Sequence, residues 1–281
     1  MSVKPNSERA NLTLESIGKP IAVGRTAEIY AWDDARILKL FRSWMPASAA
    51  AYEARIARVV HATGIRAPTV GDLVDVEGRT GILYEQVEGV TMMNAMLSKP
   101  WKLGHFARLL AELHADMHAQ HAPELPSQKQ RLIDKIEDAV PLCDRLKAQA
   151  LDALTEMPDD DRLCHGDFHP DNVLMTANGP VIIDWVDATR GHPMADVARS
   201  SLLLSAGSLP PEIPRPVRWL LSAVRRRFHD LYLQHYLSVH PGDRKALEAW
   251  RPLIAAARLS ENIEEEQSRL IAKVEAGLSR R

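Results

Sequence analysis

The sequence predicts an α+β fold of two lobes, with a strand-rich first third and a mainly helical remainder. Three observations carry that prediction. Five short β-prone runs surround a single helical pattern before Gly89, and helical spacing of apolar residues dominates afterwards. The later helices are interrupted once by a dense polar stretch, His165-Gly166-Asp167-Phe168-His169-Pro170-Asp171-Asn172, which leads into the β-prone Val181-Ile182-Ile183 and then Asp184.

Ile21–Gly24, Glu28–Trp32 and Arg36–Phe41 are the first strands, with Asp33-Asp34 turning between the last two. Pro46 opens a helix in which Tyr52, Ile56, Val59 and Val60 share a face, and Gly64 stops it. Val70–Val76 and Thr80–Val87 follow around a turn at Glu77-Gly78. The order β-β-β-α-β-β describes a mostly antiparallel sheet with one helix, not an alternating parallel fold. A connector at Tyr84–Gly89 divides the chain into lobes 1–86 and 87–281. Beyond it, Lys102–His121 carries Leu103, Phe106, Leu110, Leu113 and Met117 at helical spacing, and a second helical pattern covers Gln128–Glu156. Further helices are expected over Pro193–Ala206, Pro216–Val239 and Asp243–Leu278, with the prolines of 210–216 forcing a loop. Arg225-Arg226-Arg227, beside Trp219, Leu220, Leu221, Val224 and Phe228, reads as the solvated side of an amphipathic helix.

Composition narrows the function classes. At 281 residues with 46% hydrophobic and 26% charged, the chain has the make-up of an ordinary soluble globular protein. A net charge of −2 offers no basic field for nucleic acid or an anionic membrane. Two cysteines make no disulfide framework, no apolar run is long enough to span a bilayer, and residues 1–18 lack a signal-peptide layout. A cytoplasmic location is expected; oligomeric state is not legible.

The polar stretch carries the chemistry. His165, Asp167 and Asn172 keep the spacing of H-x-D-x-x-x-x-N, and Asp184 follows. Asp167 is a carboxylate placed to take a hydroxyl proton, while the Asn172 amide and Asp184 carboxylate are hard oxygen ligands suited to Mg²⁺. Asn178-Gly179 between apolar runs signals a hairpin. A two-residue turn there sets Asn172 and Asp184 on opposite faces; a three-residue connection through Pro180 makes them same-face diagonal neighbours about 7–8 Å apart. The longer connection is expected. Strand alternation puts Lys39 with Ile37 and Phe41, where an ammonium calls for phosphates and a carboxylate, for which Glu53 is placed. The strand alone equally allows Leu38 and Leu40 to point inward with Lys39 solvated. Gly24-Arg25-Thr26 offers backbone N–H groups to phosphates, and no G-x-x-x-x-G-K-[ST] is present.

Together, HGDFHPDNVL followed by IIDW resembles the signature of the aminoglycoside phosphotransferase family, the small-molecule branch of the protein-kinase-like fold that includes choline kinases and homoserine kinase-like enzymes. The resemblance runs from about Ile17 to Glu266. It implies an ATP- and Mg²⁺-dependent phosphotransferase, GTP being the other possible donor, acting on the hydroxyl of a small molecule, first an amino sugar or amino alcohol. It implies Asp167 as base, Asn172 and Asp184 as metal ligands, Lys39 on phosphate with Glu53 as its partner, and an adenine-binding hinge including Glu85 and Val87. His165 and Asp196 become supports of the catalytic loop. Asp187, Glu261 and Glu265 become acids for substrate amines, although Glu265 and Arg269 also form an i, i+4 pair. The phosphate flap departs from the pattern in having fewer glycines. The alternative is a nucleotide-binding pseudokinase acting as a regulatory module. His114 and His118, one helical turn apart, lack the acid that an H-E-x-x-H zinc site requires.

Overall fold

The structure is a computed structural model that describes residues 12–206, 214–240 and 244–279. In chain order the first elements are α1 (Leu14–Ile17), β1 (Ala22–Val23), β2 (Ala27–Ala31), β3 (Arg36–Phe41), α2 (Ala47–Ala62), β4 (Val70–Val76) and β5 (Arg79–Glu85). Next come β6 (Val90–Thr91), α3 (Met92–Ser98), α4 (Leu103–His118), α5 (Gln128–Glu137), α6 (Asp144–Thr155) and β7 (Arg162–Cys164). The last are β8 (Val173–Thr176), β9 (Gly179–Ile182), β10 (Thr189–Gly191), α7 (Pro193–Ala206), α8 (Arg215–Val239), α9 (Arg244–Arg258) and α10 (Glu264–Leu278). The fold is α+β and kinase-like.

Two compact units result, Met1–Gly89 with Leu174–Val186, and Val90–Val173 with Asp187–Arg281. The segment Leu174–Val186, expected within 87–281, therefore belongs with the first unit.

In the first unit, five strands form an antiparallel sheet in the order β1-β2-β3-β5-β4. Alternation along β3 serves two cores. Leu38 and Leu40 pack with Tyr30, Val76 and Leu83 on one face, and Phe41 packs with Ala50 and Ala54 of α2 and with Ile82 on the other. Lys39 points to the α2 side, as its parity with Phe41 predicts. The hairpin β8–β9 joins this unit through Arg66, whose carbonyl accepts the Ile182 N–H at 2.9 Å and whose guanidinium donates to the Asn178 carbonyl.

The hairpin connection is shorter than expected. Ala177 and Asn178 make the turn, Gly179 (φ 106°) opens β9, and Pro180 lies inside that strand. Alternation cannot orient the two predicted ligands at all. Asn172 belongs to a 3₁₀ turn, Pro170–Asn172, ahead of β8, and Asp184 lies beyond the end of β9.

In the second unit, α4 buries Phe106, Leu110, His114, Met117 and His118, and α8 buries Phe228, Tyr232, Leu233 and Tyr236. The long pattern over Gln128–Glu156 is two helices, because Pro141 lies in the break between α5 and α6 and supplies no N–H. The pattern over Asp243–Leu278 is likewise divided, by a 3₁₀ turn at Leu259–Glu261 and by Asn262 in the left-handed region (φ 53°). Helix α8 begins at Arg215, with Pro216 in its first turn where a missing N–H costs nothing; residues 210–213 of the expected loop lie outside the described residues. The first half of α8 departs from the amphipathic expectation, since Trp219, Leu220 and Val224 are exposed and burial starts at Phe228. Among the described residues no helix is long and apolar enough to cross a membrane.

Candidate active site

The predicted residues fall into two groups, one in each unit. In the first, the Lys39 ammonium on β3 meets Glu53 Oε1 from α2 at 2.8 Å and Asp184 Oδ1 at 3.6 Å. The Tyr84 hydroxyl donates to the same Glu53 oxygen at 2.9 Å. Glu53 is only 5% exposed, and these two donors satisfy its buried oxygen. Burial presses Lys39 toward the neutral amine, but the charges of Glu53 and Asp184 outweigh it and its pKa is raised. Burial, reinforced by Glu53, raises the Tyr84 phenol as well, so it stays a donor.

Asp184 occupies φ 62°, a conformation side chains rarely adopt and aspartate tolerates better than most. That turn leaves its carboxylate about half exposed (47%). The loop Gly24-Arg25-Thr26 closes tightly: the Gly24 N–H is spent on the Ala27 carbonyl at 2.8 Å, while the N–H groups of Arg25 and Thr26 bond to nothing among the described residues. At the connector, the Glu85 N–H is taken by Thr69 and the Gln86 N–H by Ala35. The backbone of Val87 has no partner among the described residues.

The second group is built on β7 and α7. Strand β7 delivers His165 and Gly166 to the first turn of α7, where Asp196 accepts the His165 N–H at 2.7 Å and the Gly166 N–H at 2.9 Å. Asp196 is 1% exposed, and the same carboxylate meets His114 Nε2 at 3.2 Å and His118 Nε2 at 3.3 Å. On their other sides, the Nδ1 atoms meet the hydroxyls of Tyr232 at 2.6 Å and Tyr236 at 2.7 Å. Both rings are therefore neutral, with Nε2–H donating to Asp196 and Nδ1 accepting from tyrosine. Burial pushes both histidines down, His118 to about 4. Burial opposes the Asp196 charge, but hydrogen bonds from the two histidines hold its carboxyl well below the ordinary range.

Gly166 explains its own identity. At φ 80°, a Cβ there would lie 2.5 Å from the Asp187 carbonyl oxygen. No larger side chain fits between His165 and Asp167.

Asp167 follows, with Oδ1 at 3.1 Å from Arg199 Nη2 and Oδ2 at 3.4 Å from His169 Nε2. Burial raises its pKa, yet the His169 hydrogen bond and the Arg199 charge win and hold it far below the usual carboxylate value. Asn172 donates through Nδ2 to the Asp167 carbonyl at 2.9 Å, which locks the loop and leaves Oδ1 without a partner among the described residues. Asp187 pairs with Arg131 at 3.2 Å. Glu261 lies between Arg199, at 2.8 Å, and Arg258. Glu265 is exposed on α10; the buried acid of that run is Glu266, bonded to Arg258 at 3.0 Å.

Sequence reasoning missed Tyr84, His169 and Arg199. Arg199 had a signal, since it stands three residues after Asp196 on a helix and so shares its face. Cys164, beside the loop, is buried and its thiol is pushed up by that burial, while Cys143 is exposed; both are free.

A kinase-like fold with a lysine–carboxylate pair in one unit and a braced aspartate–asparagine loop in the other defines a phosphotransferase of the small-molecule kinase class. The chain belongs to the phosphotransferase enzyme family APH, whose model matches residues 17–250. No curated protein matches it in sequence. Among solved structures, it is similar to a thermostable mutant of the aminoglycoside phosphotransferase APH(4)-Ia in ternary complex with ADP and hygromycin B, at 16% identity and TM-score 0.61 over 93% of this chain and 92% of that one. An aminoglycoside-3'-phosphotransferase of type VIII matches at 18% identity and TM-score 0.59, over 86% and 92% of the two chains. A choline/ethanolamine kinase family protein from Mesorhizobium loti matches at 16% identity and TM-score 0.56, over 93% and 85%. At these identities the likeness is one of fold.

Proposed function

We propose that this protein transfers the γ-phosphoryl group of ATP, with Mg²⁺, to the hydroxyl of a small molecule. The observation that carries this reading is the division of labour between the two groups. Lys39 is held charged by Glu53 and Asp184, and Asp167 is held ionised by Arg199 and His169. Phosphoryl transfer asks the protein mainly for positioning and charge placement, which these groups supply.

Asn172 and Asp184 fit a magnesium ion as the loop residues with available hard oxygens, an unengaged amide Oδ1 and a half-exposed carboxylate. A magnesium ion bound there would neutralise phosphate charge. Lys39 would hold the phosphates, fixed in place by Glu53 and Tyr84. The backbone of Val87, unpaired among the described residues, suits the edge of a nucleobase, and the Arg25 and Thr26 N–H groups suit the phosphates. Asp167, with its low pKa, orients the acceptor O–H and receives its proton as the bond to phosphorus forms. Asp196 acts through the loop backbone and touches neither substrate. The two free thiols agree with a cytoplasmic setting.

The family resemblance ranks amino sugars and amino alcohols first among acceptors. A screen over amine-bearing, neutral and acidic hydroxyl compounds, with ADP release as readout and ATP and GTP as competing donors, tests the reading. Asp167→Asn is expected to lower turnover by roughly 10²- to 10⁴-fold. Equal ADP release by wild type and Asp167→Asn across every class would overturn it.

A further inference from the structure

Beside Gly166 the second unit holds a pocket of about 50 Å³, room for roughly three or four waters. Its wall includes Arg131, Lys135, Arg199 and Arg258, together with Asp187 and Glu261. Asp187 and Glu261 are the acids that the family resemblance assigns to substrate amines. Neither is free for that task, since Arg131 holds Asp187 while Arg199 and Arg258 share Glu261. An entering ammonium would have to displace a guanidinium and settle beside Lys135.

Lys135 is the unused group. Half-buried on α5, it has no hydrogen bond or ion pair among the described residues, while each arginine of the wall has a carboxylate. Burial lowers its pKa, with Arg199 and Arg131 adding to the effect and Asp187 and Glu261 opposing it. A lysine ammonium kept from water without a direct partner is costly, and an anion delivered by a ligand offsets that cost. The pocket also reaches Gly166, the immediate neighbour of Asp167, so a ligand group held there would leave its hydroxyl close to the reacting carboxylate.

Resting on the phosphotransferase reading above, we infer that the acceptor is a hydroxyl compound carrying an anionic group, a carboxylate or a phosphate, anchored by Lys135 with the Arg131 and Arg199 edges beside it. This reverses the charge preference that the family resemblance implies.

The test is a panel of hydroxyl compounds in matched sets that differ at one substituent: neutral, amine, carboxylate or phosphate. Glycerol, 3-amino-1,2-propanediol, glycerate and glycerol 3-phosphate form the smallest set, and sugar-based sets of the same design extend it. Acceptor-dependent ADP release is measured for wild type, Lys135→Met and Lys135→Arg. In wild type, the best carboxylate or phosphate member is expected to exceed its neutral partner in kcat/KM by about 10- to 100-fold, the range of a hydrogen bond to a charged group. Lys135→Met should bring that ratio to within about twofold, chiefly through KM, and Lys135→Arg should restore most of it. The carboxylate and phosphate arms identify which anion is taken. Preference for the amine or neutral members, or a ratio unmoved in Lys135→Met, overturns the anion assignment and leaves the phosphotransferase reading standing. Absence of acceptor-dependent turnover in every set, with Asp167→Asn equal to wild type, sinks the phosphotransferase reading and this inference with it.

Discussion

Acidification should attack this protein first at the buried histidines under the catalytic loop. His118 is fully buried with a pKa near 4, against about 6.5 for the unfolded residue. Its folded pKa is depressed, so the unfolded chain binds the extra proton first as pH falls. Stability is therefore complete above about pH 6.5 and drains away toward pH 4. A shift of about 2.5 units at roughly 1.4 kcal/mol each comes to about 3 kcal/mol from His118 alone. His114, lowered for the same reason, adds in the same direction, as do His192 and His229. Asp196 and Asp167 do not contribute in this window. Their folded pKa values are depressed below the ordinary carboxylate value, so what they contribute is lost only at lower pH. The assay is urea unfolding from pH 7.5 to 4.5 in wild type and His118→Gln, which keeps a donor toward Asp196 but cannot titrate. Wild type should lose stability steeply below pH 6.5, and the variant should lose about 2.5 kcal/mol less over the same interval while starting lower. Identical slopes would refute the assignment of a neutral, buried His118.

Gly166→Ala should cost about 2–4 kcal/mol, combining a left-handed backbone with a Cβ driven against the Asp187 carbonyl, and urea unfolding measures it. Lys39→Met strands the buried Glu53 carboxylate with Tyr84 as its one remaining donor, so stability should drop by about 3 kcal/mol; adding Glu53→Gln should recover most of that in a double-mutant cycle. The same Lys39→Met protein should bind an ATP analogue at least about tenfold more weakly in a fluorescence titration, following the loss of a charged hydrogen bond. Chelating divalent cations should abolish transfer, and Asn172→Ala should raise the Mg²⁺ concentration needed for half-maximal rate by about tenfold or more; an unchanged requirement would remove Asn172 from the metal site.

The sequence by itself determined the inventory and the elements. The spacing of His165, Asp167 and Asn172 with Asp184 beyond, the alternation that turns Lys39 toward α2, and the β-β-β-α-β-β order are all local patterns, set by strand and helix periods that span a few residues. The tertiary structure decided which charges are free. Asp187 and Glu261 look like open acids in the sequence, and packing gave them to Arg131, Arg199 and Arg258. The histidines of α4 stand one helical turn apart with no zinc-site acid beside them in the sequence, and packing set them between Asp196 and two tyrosines of α8. Even the orientation of Asp184 escaped strand alternation, because a single residue beyond β9 took a left-handed turn. Periodicity reports the face of an element a side chain occupies. Its partner comes from another element distant in the chain, and only the packing of the two determines whether a charge meets its opposite or is left for a ligand.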